Sequence, residues 1–322
     1  MTMRSTAFLL ALLTLAACGG SPEPADGHLR LDTERRDPER MLRFYFGSYL
    51  GPDGGDAVEA GLLHGQGQAF TLDPAAMPER WRPALAEANA DGDGTLDWDE
   101  LSAFFMATYN EARGLPPTLD AFREAVPYAA DSAWFTVEID GVMTSARRHV
   151  FVPLDAMRAA LRDYRAHGDR LLYPVGTAMV GEHWMDGERA ETTVMQKRPD
   201  GFWDFWVYDA AGRLADSTST PPRALRSPVQ CAGCHFGNRA FEPEKSFPAE
   251  APPGPYGPRA LHVGPEMRNP EVVAFFDEHA KRSDTVLGAY NTLFVSKLLA
   301  DRAAGRLAPE DAAILDGLGL DE

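Results

Sequence analysis

Between Thr177 and Asp209 the chain is cut into short β-forming runs by Asp-Gly pairs, and no other feature constrains the fold as strongly. The runs are Thr177–Met185, Glu188–Lys197 and Phe202–Asp209, parted by Asp186-Gly187 and Asp200-Gly201. Asp-Gly supplies the positive-φ corner of a tight hairpin, so runs joined this way read as an antiparallel meander. In the third run both alternating sets are apolar or aromatic: Phe202, Trp206 and Tyr208 on one side, Trp203, Phe205 and Val207 on the other. Both faces of that strand are therefore expected to be covered, one by a prosthetic group or by a packed helix.

Other segments carry different periods. Arg35–Leu50, Glu79–Asn89, Asp97–Arg113 and Leu119–Val126 read as helices separated by Pro and Gly breaks. Ala133–Asp140 is rich in β-formers and runs into Asp140-Gly141, a hairpin signal; Leu154–His167 returns to helical spacing with Gly168 as a C-cap. Residues 247–259 are too proline-rich for regular structure, and Pro270–Arg282, Asp284–Arg302 and Pro309–Leu318 read as a helical tail. The expected fold class is α+β: a helical domain over 31–129, an antiparallel sheet domain over 130–250, and a proline-rich connector with helical tail over 251–322.

Within the sheet domain Cys231-Ala-Gly-Cys234-His235 has the spacing for covalent attachment of haem. Two thiols can add to the haem vinyl groups, which leaves His235 as the proximal ligand of the iron. A zinc site would want a second cysteine pair, and a thioredoxin-like pair would want a βαβ context; the flanks supply neither. The remaining cysteine is Cys18. Residues 1–17 read as a signal peptide, with Arg4 at the positive end and an apolar run from Ala7 to Ala16. Leu15-Ala16-Ala17-Cys18 resembles a bacterial lipobox, which implies lipid on Cys18 and a membrane anchor. Residues 18–30 would form the tether, and Gly19 after the cysteine fits sorting to the outer membrane, facing the periplasm.

The formal net charge is −17, and loss of Arg4 with the signal peptide takes it to −18. Such an acidic surface disfavours nucleic acid and anionic lipid, and suits a basic redox partner protein.

Residues 89–100 match the twelve-position calcium loop of an EF-hand. Asn89, Asp91 and Asp93 offer side-chain oxygens, Thr95 its carbonyl, Asp97 a water-mediated contact, and Glu100 the closing bidentate carboxylate. Asn89 stands where aspartate is usual, which lowers the charge of the site. Asp53-Gly54-Gly55-Asp56 is at best a remnant of a second loop.

Residues from about 130 to 250 resemble the cytochrome P-460 family, which includes the cytochromes c-prime-beta. The residues that carry the resemblance are Tyr173-Pro174-Val175-Gly176-Thr177, Val194-Met195-Gln196-Lys197, Gly201-Phe202-Trp203-Asp204-Phe205 and the cysteine motif. The resemblance implies a small antiparallel domain with one haem c, a five-coordinate iron in an apolar pocket, and a homodimer formed through the sheet. It also implies two departures. The lysine that cross-links to the porphyrin in hydroxylamine-oxidising members falls at Gly181, and the proton-relaying glutamate before the first cysteine falls at Gln230. Lys197 is expected in solvent. Met179, Met185, Met195, Met267, His149, His183 and His262 are distal candidates by type, the methionines more readily as core. His183 with Glu182 is the pair expected to give distal polarity or acid–base catalysis.

The functions these features allow are electron transfer or binding of small nitrogen or diatomic ligands by a lipid-anchored monohaem cytochrome. Open alternatives are a haem enzyme, either a peroxidase or an oxidase of small nitrogen compounds, and a calcium-binding scaffold lipoprotein.

Overall fold

Residues 27–33, 38–67, 69–129, 133–140, 144–168, 170–222, 224–233, 260–262 and 289–320 are described by the computed structural model, and they show an α+β fold with two sheets. The smaller sheet lies in the segment expected to be helical throughout, except that its first strand begins at Leu29 and Arg30, within the stretch expected to be tether. Its strands are β1 (Leu29–Leu31), β2 (Leu63–Gln66), β3 (Ala69–Leu72) and β4 (Thr95–Leu96), in the order β2-β3-β1-β4. These runs are two to four residues long, too short to show an alternation. The β2–β3 corner also depends on Gly65, whose φ is +126° and whose added Cβ would stand 2.0 Å from the Ala69 carbonyl oxygen.

The helices of this part of the chain are α1 (Pro38–Gly47), α2 (Arg82–Ala88), α3 (Trp98–Ala112) and α4 (Leu119–Ala125), the last of which packs on the larger sheet. Caps explain two of the starts. Asp97 accepts from Asp99 N and Glu100 N while Glu100 reaches back to Asp97 N, a capping box on α3; Thr118 caps α4 through Ala121 N.

The larger sheet contains β5 (Trp134–Asp140), β6 (Arg147–Pro153), β7 (Ala178–Met185), β8 (Glu188–Lys197), β9 (Trp203–Tyr208), β10 (Leu214–Ala215) and β11 (Ala260–His262). They run β10-β9-β8-β7-β6-β5-β11, antiparallel throughout. Asp186 and Gly187 have φ of +52° and +84°, so the β7–β8 turn is the primed type that matches strand twist. The second Asp-Gly pair sits in a wider connection, where Arg198 N donates to Phe202 O and Asp200 accepts from Phe202 N.

One face of this sheet presents Phe135, Val137, Val150, Val152, Met179 and Phe205 to the main core. That core also takes in α1, α3, the helix α5 (Leu154–Arg162), and the helices α7 (Ala289–Ala303) and α8 (Pro309–Leu318). The opposite face presents Phe151, Val180, Val194, Trp206 and Tyr208 to Leu119 and Phe122 of α4 and to Tyr128. Both faces of β9 are thus covered, one of them by the helix α4. The C-terminal helices are part of the core rather than an appendage: Phe294 meets Phe135 with ring centroids 5.6 Å apart, and Arg158 on α5 grips Asp311 on α8 through two hydrogen bonds. Helix α5 ends at Arg162, short of the expected His167; turns follow until Gly168 at φ +65°.

A buried polar knot joins α1 and α3 to β9. Asp204 accepts from Tyr109 Oη at 2.6 Å and from both Nε and Nη2 of Arg113 at about 3.0 Å. Arg198 donates to Ser48 Oγ at 2.7 Å and pairs with Asp200. Charges held out of water in this way need every partner present.

Candidate functional site

The short helix α6 (Val229–Ala232) carries Cys231, and Gly233 after it keeps helical angles of −58° and −40°. Of the three haem-motif positions, Cys231 is thus held on a helical turn. Cys234, His235 and Cys18 lie outside the described residues. Helix α6 is held from three directions: Tyr45 Oη donates to Val229 O, Ser227 Oγ donates to Phe205 O, and Arg226 N donates to Gln230 Oε1 at 2.7 Å. Val229 and Ala232 are buried in the main core and half-buried Cys231 packs against it. Gln230 is therefore turned back onto its own helical turn.

The sheet face on the α6 side is the one that bears Met179, and at alternate positions Gly181 and His183. His183 and Glu182 are separated by that same alternation. Glu182 points to the α4 side, where it accepts from Arg123 at 2.7 Å, Tyr128 at 2.9 Å and Trp184 at 3.3 Å. The expected His183–Glu182 pair is thus not a pair, and Glu182 is a buried structural anchor. The carboxylate near His183 is Glu191, whose Oε1 lies 3.2 Å from Nδ1 without hydrogen-bond geometry, while His183 Nε2 lies 3.3 Å from Thr193 Oγ1. Glu191 is fully buried and accepts from the hydroxyls and backbone amides of Ser219 and Thr220. Burial pushes the His183 imidazole down to about 4 against the pull of Glu191, and Arg148 adds to the lowering. The ring is neutral at pH 7.

Register explains why Glu191 was hidden. A two-residue turn pairing Met185 with Glu188 would set Ala190 opposite His183; an irregularity between His183 and Trp184 shifts the ladder and brings Glu191 there instead.

A side chain at Gly181 would crowd the Thr193 hydroxyl. A Cβ there would lie 2.9 Å from Thr193 Oγ1 and 3.8 Å from His183 Nε2. Lys197, expected in solvent, is buried on the same face. It donates to Gly201 O at 2.6 Å and lies 5.5 Å from the Trp203 ring centroid, and burial brings its ammonium down to about 8. Among the other distal candidates, Met179 and Met195 pack in the core and Met185 is half-buried at the end of β7. His149 stacks on Trp184 on the α4 side, His262 binds Asp140 at 2.6 Å at the sheet edge, and Met267 lies outside the described residues.

The 89–100 loop is shaped by glycines at φ +67° (Gly92) and +79° (Gly94), and by Asx contacts in which Asp91 accepts from Asp93 N and Asp93 from Thr95 N. Asn89 Oδ1 is a buried acceptor with no hydrogen-bond partner at the first ligand position. That orphaned oxygen fits a site built for a cation. Asp97 and Glu100 are drawn together by the α3 capping box. In place of a second EF-hand loop, β1 pairs with the loop strand β4, in parallel, and Arg30 N donates to Gly94 O at 2.9 Å. The Asp53–Asp56 segment instead braces structure: Asp56 pairs with Arg43, and Gly54 lies against Arg198 and Asp200.

No family model, no curated protein and no solved structure matches the chain.

Proposed function

We propose that this chain is an exported, lipid-anchored monohaem cytochrome of the c type, braced by calcium in the 89–100 loop, that transfers single electrons or binds small nitrogen compounds and diatomic gases. The observation that carries the reading is the helical course of residues 229–233, which suits the one-face spacing of Cys231, Cys234 and His235. Cys231 and Cys234 would hold the haem covalently and His235 would be its axial ligand. The group supplies one-electron redox chemistry and an iron site for small ligands. The chain's own part is positional. Tyr45, Ser227 and the Gln230 turn fix the attachment helix, and the sheet face of the same core carries one neutral imidazole, His183, in contact with Thr193.

The His183–Glu191 contact favours a second reading, catalysis, because an imidazole beside a buried carboxylate can accept or return a proton. Lipid on Cys18 would supply the membrane attachment; among the described residues no helix is long and apolar enough to cross a membrane. Asn89, Asp91, Asp93, Thr95 and Glu100 would hold calcium, with Asp97 acting through water.

A reduced-minus-oxidised optical spectrum, taken on protein made with haem-maturation machinery, tests the proposal. A c-type spectrum is expected, and one that shifts with nitric oxide or carbon monoxide selects ligand binding over pure electron transfer. Protein that carries no covalent haem under those conditions overturns it.

A further inference from the structure

Three polar side chains from separate parts of the chain meet on the outer face of the small sheet. His28 precedes β1, His64 lies on β2 and Asp73 follows β3. The register sets Leu29 opposite Leu72 and His64 opposite Thr71. One step beyond Leu29 and Leu72, His28 comes opposite Asp73, on the same side as Thr71 and His64. The alternate positions Leu31, Leu63, Phe70 and Leu72 fill the core, so this face is turned outward.

The three residues are close enough to share one ion. One donor atom from each lies within 4.8 Å of the other two, and His28 Nε2 is 3.9 Å from Asp73 Oδ2. The two imidazoles stack with centroids 4.9 Å apart. Asp73 is oriented: its Oδ1 accepts from Ala75 N at 2.8 Å, which leaves Oδ2 for the histidines. Such outer contacts fix a ligand's direction before the metal arrives. Tetrahedral bonds of about 2.0 Å would need donors about 3.3 Å apart, and rotation of the exposed His64 side chain supplies that closure. Arg30 shares the face across Thr71, so a cation enters against one positive charge and needs the Asp73 carboxylate.

We propose that His28, His64 and Asp73 form a surface site for a borderline divalent transition metal, zinc(II) or copper(II), with solvent completing the coordination. Two imidazoles and one carboxylate suit these ions, whereas calcium and magnesium prefer all-oxygen sets. The site shares no residue with the haem motif or the 89–100 loop, so it stands whether or not either of those is filled.

The test uses the full mature chain in excess calcium, titrated with zinc by calorimetry and with copper(II) under electron paramagnetic resonance. One equivalent should bind, and the copper spectrum should show coupling to two imidazole nitrogens, falling to one in His64→Ala. His64→Ala and Asp73→Asn should each weaken zinc by about tenfold or more, with thermal unfolding in calcium alone unchanged. Unchanged zinc stoichiometry and affinity in the His28→Ala/His64→Ala double variant would overturn the proposal, as would no zinc uptake by the parent chain.

Discussion

His183 sits where three effects meet: a strand that aims it at the main-core face, a buried carboxylate 3.2 Å away, and a cover that keeps its ring neutral. Its depressed value has a definite sign in stability. The unfolded imidazole takes up a proton near 6.5 and the folded one near 4, so the unfolded state binds more protons between those values. Stability is expected to fall as pH drops from about 6.5 to about 4, and His183→Gln should flatten that part of a urea-denaturation series against pH. Glu182→Gln should behave differently. It should destabilise the fold by about 1–3 kcal/mol through the loss of charge to Arg123 and Tyr128, and leave the affinity for nitric oxide unaltered; a changed gas affinity would place Glu182 on the wrong side of the sheet. The two neighbours were legible as polar residues in a strand, but their separation followed only from alternation. The identity of Glu191 as partner was not legible at all, because one register shift decides it. Lys197 was misread for a related reason: its burial depends on what packs over β8, and a single strand's pattern does not contain that.

At the level of elements, some boundaries were written plainly, such as the Asp186-Gly187 turn, whereas the expected Gly168 cap lies beyond the end of α5 at Arg162. Helix α8 matches its expected span, Pro309–Leu318, helped by a proline in its first turn and Gly319 at φ +72° after its end. The glycine turns of the 89–100 loop, Gly92 and Gly94 at φ +67° and +79°, were legible from the residue types at those positions. The small sheet was not, since its strands are short and its third partner, β1, comes from far along the chain. Here Glu100 carries two duties, as the twelfth loop position and as the return arm of the α3 capping box. Glu100→Gln should abolish calcium-induced stabilisation, seen as a melting temperature that no longer rises with added calcium. It should also cost about 1 kcal/mol in chelator, where only the cap is affected. A calcium response that survives Glu100→Gln would place the ion elsewhere.

For the whole molecule, one apolar core runs from Leu31 to Leu318 and ties the N-terminal helices, one sheet face and the C-terminal helices into a shared interior. The α+β class was readable from the change of period along the chain. The joining of its parts was not, because contacts such as Phe135 with Phe294 and Asp204 with Arg113 span long separations. Removing one member of the buried knot should be felt across that interior. Asp204→Asn is expected to destabilise by about 3–5 kcal/mol, by leaving the buried Arg113 without its carboxylate while Arg198 keeps Asp200, and to do so in a single transition seen alike by far-UV and near-UV signals. Two separate transitions would show that the N-terminal elements and the sheet unfold independently. The account as a whole turns on whether this interior carries a covalent prosthetic group at 231–235. Intact mass spectrometry of the mature chain, produced with haem-maturation machinery and denatured before analysis, should give the polypeptide and its acyl groups plus the mass of one haem, lost together in a Cys231→Ala/Cys234→Ala variant. A parent mass accounted for by polypeptide and lipid alone would contradict it.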